Sequence, residues 1–530
     1  MTQLWSFIVR FPIMVGVALI LAQTLPFLDS RWLWFSDEVR YAEVYSNLVE
    51  QGHWIVLNLN GVAYPDKPPV YFLFLALLDL IPGVHMPDVM WLGSAGSAII
   101  LLFAMRSLAR AVGVGQEGFA AGILVQLCLF GMIILLHYVR MDLLFVAFML
   151  AGQAQLHRHY YSGEPSKHAY LGFALGGVAV LVKGPLGLLL PLVAVWGTAL
   201  WAGKGGRIVR LPTLVGLIVS IVLMASWAVG IVAVEGWSFF RDQIIGKQVL
   251  ERATDTFHHS EPLSFYFILL PLLLLPWTGM AAALPWRSFM QWPTKIWTQR
   301  SELGPVGILA IGSFLHFAML SSLDGKVGVY LLPILVQLSL MIGALIVARP
   351  LLRGWVGVAV MVAMFGGALI ALSFTKEAVE YQTGAAICGA FLVLAGIVMF
   401  TLRNGKRSML IFLSGAMLIW SMLLAAFLLP GLNNSTSTRV PAEHLGRLAQ
   451  EGYVPVAYRT YPGIFSYYAG RDVVQIDNAD ELKQLLKSKR RVVVATRDKD
   501  LKDIDLEDFE TIYSRALNGA GGRYVVTRRD

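Results

Sequence analysis

Asp37, Lys67, Asp142 and Lys183 each stand at the edge of an apolar run, and they are residue types able to move charge during a group transfer. A carboxylate takes a proton from a nucleophile or stabilises a cationic carbon, and an ammonium group stabilises an oxyanion as it leaves. More ionisable groups sit at equivalent places: Glu38, Arg40 and Tyr41 beside Asp37, Asp66 beside Lys67, Arg140 before Asp142, then Arg241, His258, His259, Glu261, Asp324, Lys326 and Tyr330. Taken singly, each has a plain structural explanation. Asp37, Glu38 and Asp142 suit helix N-termini, YPDKPP suits a stiff turn, and Lys183 before Gly184-Pro185 suits a snorkelling lysine at a helix break. Solvated loop histidines are the ordinary reading of His258-His259. Their common position at helix ends on one side of the membrane argues for a shared site.

The elements that must position them follow from composition. Of the 530 residues 57% are hydrophobic and 14% charged, against roughly 25% charged in a soluble domain. That excludes a single soluble globular protein, a disordered chain and a coiled coil. The two cysteines, Cys128 and Cys388, lie inside apolar runs, so neither a disulfide framework nor a CxxC site is available. A spanning helix takes about 20 mostly apolar residues. Candidates fall at 11–29, 89–105, 118–136, 142–156, 169–182, 185–201, 212–234, 263–283, 304–322, 327–347, 355–373, 382–402 and 408–429, about 13 in all. The run 70–81 is short and ends at Pro82-Gly83, which predicts an interfacial or re-entrant segment.

With 70–81 left out and Arg10 on the cytoplasmic side, the cytoplasmic loops gather most of the Lys and Arg of the membrane region, including Arg106, Arg110, Lys204, Arg207, Arg210, Arg403 and Arg407. The opposite loops hold nearly all its acids, as the positive-inside rule predicts. The net charge of +8 is therefore a matter of membrane orientation, and nucleic acid is not a predicted partner. An odd number of spans places the N-terminus in the cytoplasm and the C-terminal region outside. The first apolar run lacks an Ala-x-Ala-like site after it and reads as a retained helix.

Two units are expected: a transmembrane unit over 1–430 with an outer first loop at 30–88, and a small soluble α/β domain over 431–530. From Asn433 onward there are 16 Lys or Arg and 14 Asp or Glu. VPVAYRT, DVVQID, RVVVATRD and RYVVTRR carry the alternation of strands, and DELKQLLKSK reads as a helix. Carriers of lipids or solutes, which do no bond chemistry, tend to keep ionisable groups at mid-depth in repeated halves. Here the spans are nearly free of charge at mid-depth and show no repeat. A scaffold whose tail recruits partners is the third class, and it predicts that Asp37 and Lys183 are dispensable. The pattern favours an active site at one membrane surface.

In their order, WFSDEVRYAEV, YPDKPPVYFLF, HYVRMD, VKGPLGLLLP, FHHSEPLSFYFILLPLLLLPW and SSLDGKVGVYLLP resemble the polyprenyl-phosphate-sugar glycosyltransferases of the protein O-mannosyltransferase and lipid A aminoarabinose transferase superfamily. The resemblance covers about residues 1–430, and the tail resembles the periplasmic domain of the aminoarabinose branch. It implies a GT-C membrane fold in a bacterial inner membrane and an undecaprenyl-phosphate-linked sugar as donor. The sugar, 4-amino-4-deoxy-L-arabinose in the aminoarabinose branch, passes to lipid A or lipopolysaccharide on the periplasmic face. Transfer of a hexose, pentose or uronic acid to a glycan or protein hydroxyl is the alternative within the same class.

Carried over onto this chain, the resemblance makes Asp37, Lys67, Asp142 and Lys183 the catalytic set. It makes Arg40, Tyr41, Asp66, Arg241, His258, His259, Lys326 and Tyr330 substrate-binding residues. Lys67, Lys183 and Lys326 are the cations for the leaving phosphate. The resemblance fixes no cofactor and leaves a divalent metal ion open. A divalent metal ion, where one is used, has Asp66, His259 and Glu261 as its candidate ligands, although Asp66 stands where the aminoarabinose branch usually has Glu. The region Trp91–Ser97 lacks an arginine often found there in the family.

Overall fold

In the computed structural model the described residues are 2–251, 261–283, 294, 297, 298, 300–349, 352–401, 405–489, 491–503, 509–517 and 522–529. Among them, seven helices are long and apolar enough to cross a membrane, from Asp88–Val112 to Lys406–Thr436. Three bent pairs pass the same test together, at Thr2–Phe27, Gln116–Leu136 and Phe265–Ala283, with bends of 98°, 68° and 97°, which allows up to ten spans. The expected segments 142–156, 169–182 and 185–201 fall on the helices Asp142–Tyr160, Lys167–Lys183 and Leu186–Trp201. Those do not satisfy the test, so length and composition support fewer than the thirteen spans read from the sequence. Helix Val70–Asp79 has only ten residues and exposes Leu73 and Leu77, in keeping with an interfacial segment.

Small residues set the helix spacing. A Cβ on Gly343 would meet the backbone of Gly122 at 2.4 Å, and one on Gly279 would meet Gly357 at 2.3 Å. Close backbone approach through small residues is how membrane helices gain packing where water supplies no driving force. The core is one large apolar cluster through most of the helices, with Trp277, Trp355, Tyr41 and Tyr71 among its largest fully buried side chains, and a smaller separate cluster joins Leu156, Tyr160, Phe173 and Val195.

After the last long apolar helix, five strands form a sheet in the order β4-β3-β5-β7-β6. They are β3 (Val454–Tyr458), β4 (Val474–Ile476), β5 (Val492–Arg497), β6 (Glu510–Leu517) and β7 (Gly522–Arg529), numbered after a short hairpin of β1 (Asn58–Leu59) and β2 (Val62–Ala63) in the first loop. β3 runs parallel to β4 and β5, while β7 runs antiparallel to β5 and β6. Central β5 is buried along Val492–Thr496, so its β-branched run packs on both faces. The expected strands and the helix Ala479–Ser488 are present. Strand β6 and the helix Arg439–Gln450 were not foreseen.

Candidate functional site

The site is assembled from helix ends. Helix Asp37–Gln51 of the first loop opens with Asp37 and Glu38 in its first turn and closes at Gly52, whose φ of 76° suits glycine. Helix Asp142–Tyr160 begins with Asp142, and helix Lys167–Lys183 ends with Lys183. Each charge is of the sign the helix dipole favours at that terminus. Gly184, at φ 127°, then lets the chain turn into Pro185.

These ends meet in a chain of charges. Arg140 bridges two carboxylates, with Nη1 3.1 Å from Asp37 Oδ2 and Nε 2.9 Å from Asp142 Oδ2. The Lys183 ammonium donates to the other oxygen of Asp142 and lies 4.8 Å from the ring centre of Tyr330. Three of the four expected catalytic residues are therefore linked, and Arg140 does the linking. Asp142 is buried, whereas about a fifth of the Asp37 and Arg140 side chains remains exposed, so the outer end is open to a ligand. Burial works against the charge on Arg140, but Asp142 and Asp37 outweigh it and hold its guanidinium protonated well above the usual range. A small apolar pocket of about 10 Å³ adjoins Asp142 and Tyr330, lined also by Phe145, Leu186, Leu190 and Leu320.

Beside Asp37, Glu38 is fully buried and forms a paired clamp with Arg31, its oxygens 2.6 and 2.7 Å from the two terminal guanidinium nitrogens. Glu38 also accepts the backbone N–H groups of Trp34 at 2.7 Å and Val139 at 2.6 Å. Arg31 donates to the carbonyls of Trp32 and His137, and its guanidinium lies 4.1 and 4.2 Å from the rings of Trp34 and Trp91. One clamp thus fixes Asp37 on its helix and Arg140 in the segment after Val139.

Among the other expected residues, Tyr41 is buried against Tyr71 and Phe72, and burial, reinforced by Asp37, raises its phenol far above the ordinary range. Arg40 is buried near the rings of Tyr64 and Tyr461. Asp66 is close enough to act electrostatically on Tyr64, and Lys67 follows it half-buried. Lys326 is buried and donates to the Glu261 carbonyl at 2.8 Å. Arg241 is exposed and pairs with its neighbour Asp242. His258 and His259 lie outside the described residues. Among the described residues no group of three His, Cys, Asp or Glu side chains is placed to hold a metal ion; of the expected ligands, Asp66 and Glu261 are described and His259 is not.

Sequence reasoning passed over Arg31, Tyr64 and Tyr461, and did not give Arg140 its bridging place. The signals for two of them were present: an arginine among aromatics in SRWLW, and an arginine two residues before an acid in VRMD.

No family model matches the chain. The undecaprenyl phosphate-alpha-4-amino-4-deoxy-L-arabinose arabinosyl transferase 2 of Pseudomonas fluorescens Pf-5 is 27% identical over 447 residues, covering 80% of this chain and 73% of that protein. Transferase 1 of Pseudomonas fluorescens Pf0-1 is 26% identical over 454 residues, covering 82% and 76%. Among solved structures, ArnT from Cupriavidus metallidurans bound to undecaprenyl phosphate superposes with a TM-score of 0.74 at 18% identity over 97% of each chain. In sequence and in fold the chain is similar to these aminoarabinose transferases. With seven helices among the described residues long and apolar enough to cross a membrane, and up to ten with the bent pairs, this chain is a multi-pass membrane protein. Its fold matches the ArnT structure through the helical region and the C-terminal sheet alike, since almost the whole of both chains is covered.

Proposed function

We propose that this protein is an integral-membrane glycosyltransferase that moves 4-amino-4-deoxy-L-arabinose from undecaprenyl phosphate to lipid A or lipopolysaccharide at the periplasmic face. The observation that carries the reading is the chain Asp37–Arg140–Asp142–Lys183, buried at one end and open at the other. Residues 1–430 form the transferase unit and 431–530 a periplasmic domain, with the first loop 30–88 on the same side and the N-terminus in the cytoplasm. This topology puts Lys and Arg inside and the reacting groups outside.

In the reaction an acceptor oxygen attacks the anomeric carbon, the bond from that carbon to the phosphate oxygen breaks, and undecaprenyl phosphate leaves with the electron pair. Lysines stabilise the charge gathering on that phosphate in a site shielded from bulk water, with Lys67, Lys183 and Lys326 in this role. A phosphate on lipid A is already ionised near neutral pH and requires no base. Asp37, held by Arg140, then orients the donor through its ammonium and stabilises positive charge at the anomeric carbon. Arg40, Tyr41, Asp66 and Tyr330, together with Arg241, His258 and His259, contact the substrates.

Purified protein incubated with undecaprenyl-phosphate aminoarabinose and lipid A, followed by mass spectrometry, tests this. The expected product is lipid A heavier by one aminoarabinosyl group, and Asp37→Asn slows its formation while leaving residual transfer to the phosphate. Transport of the donor across vesicles without any product overturns the reading.

A further inference from the structure

Arg40 is a charged side chain with 7% of its surface exposed, and its Nε has no hydrogen-bond partner among the described residues. Its guanidinium carbon lies 5.2 Å from the ring centre of Tyr64 and 4.6 Å from that of Tyr461. Tyr64 belongs to the first loop. Tyr461 lies some 400 residues away in sequence, in the segment that leaves β3. A cation on aromatic faces gains most where water is excluded, as it is here. Asp37 is three residues earlier on the same helix, so Arg40 shares its face.

The segment carrying Tyr461 is fixed to the first loop. The Tyr461 ring meets Phe35 edge-on with centres 6.3 Å apart, and Phe35 N–H donates to the Thr436 carbonyl at 2.9 Å. Gly463, at φ 72°, passes so close to Leu59 that a Cβ would stand 2.5 Å from its methyl group. Asn60 Oδ1 accepts from Ser466 Oγ at 2.5 Å and from Val473 N–H at 2.7 Å. Tyr461 itself is 48% exposed, so the hydrophobic core does not require its ring.

We infer that the C-terminal sheet completes the site and that Tyr461 is a positioning residue, holding the Arg40 guanidinium between two ring faces for an anionic group of the lipid-linked donor. The inference rests on the transferase reading for the identity of that donor. Tyr461 acts through Arg40, so its loss matters only while Arg40 is present.

A double-mutant cycle on the full-length protein tests this, with Arg40→Ala, Tyr461→Ala and the pair. Each is read as KM and kcat for undecaprenyl-phosphate aminoarabinose and as the dissociation constant of undecaprenyl phosphate. Tyr461→Ala is expected to raise KM and the dissociation constant about tenfold with a smaller change in kcat, Tyr461→Phe to restore both, and Tyr461→Ala to add nothing once Arg40 is alanine. Tyr461→Leu, which keeps an apolar side chain without a ring face, should behave as Tyr461→Ala and separates lost stacking from lost folding. Wild-type binding in Tyr461→Ala, or additive effects of the two alanines, overturns the inference. Coupled binding effects in a protein that makes no product overturn the transferase reading and leave the Arg40–Tyr461 pairing standing.

Discussion

Asp37 and Glu38 are consecutive acids whose surroundings differ completely. Glu38 is sealed from solvent and meets Arg31 and two backbone N–H groups, so its charge is compensated on every side. Asp37, one position earlier, keeps about a fifth of its side chain exposed and is held through Arg140. A saturated buried pair builds structure, whereas a carboxylate with an open side is available for chemistry. The pair also shows a source of rigidity: the partly open acid sits next to the one that anchors the helix.

The sharpest way to break this contrast is to exchange the consequences. Glu38→Ala leaves Arg31 buried without its partner, a loss of about 3–5 kcal/mol, and is expected to abolish folded protein in a thermal-unfolding or size-exclusion assay. Asp37→Asn should keep the melting temperature of the wild type and lower turnover by about 10²–10⁴ where a hydroxyl is the acceptor. Substantial residual transfer to a phosphate acceptor assigns Asp37 to donor orientation. A Glu38→Ala protein that folds normally erases the distinction between the two acids.

Smaller effects sharpen the open half of the comparison. Lys183→Met removes one of the two cations on Asp142 and is expected to cost about 10²-fold in kcat. Lys67→Met should impair catalysis without unfolding the helices, and normal turnover in that variant removes Lys67 from the site.

The last expected effect concerns a third acid on the same helix. Glu43 is buried toward the C-terminal sheet, and its pKa is raised to about 7 by burial and the nearby Asp472 and Glu50, with a hydrogen bond from Asn47 opposing. A carboxyl with a raised native pKa favours folding when protonated. That contribution is complete below the unfolded value near 4.5, falls as pH rises and is lost above about 7. Melting temperatures measured from pH 5 to pH 8 should therefore decline more steeply for the wild type than for Glu43→Gln. The difference at pH 8 corresponds to about 3 kcal/mol.

Much of the fold was legible because the bilayer demands long apolar runs and β-branched alternation marks strands. The span count was less legible, because Gln116–Leu136 is long and apolar enough only as a pair bent by 68°, and the helices Asp142–Tyr160 and Lys167–Lys183 are not among those long and apolar enough to cross. Strand β6 carries Arg515 and exposed polar residues at the sheet edge, which hides its alternation. In the site, Asp37, Asp142 and Lys183 were readable as charges at helix ends. Arg31 was not, because its role depends on a tertiary clamp to Val139 and His137 that no local spacing reports. Tyr461 lies beyond any local pattern that includes Arg40.

The asparagine contacts between the first loop and the C-terminal sheet have a practical corollary for protein engineering. Asn60 bonds to Ser466 and Val473, while Asn433 accepts from the Trp32 backbone N–H and the Trp34 indole. A chimera that grafts a relative's residues 431–530 onto this chain inherits only half of that joint. Grafts that transplant residues 30–63 along with the tail keep the mating surfaces matched, and they are the ones expected to retain native behaviour.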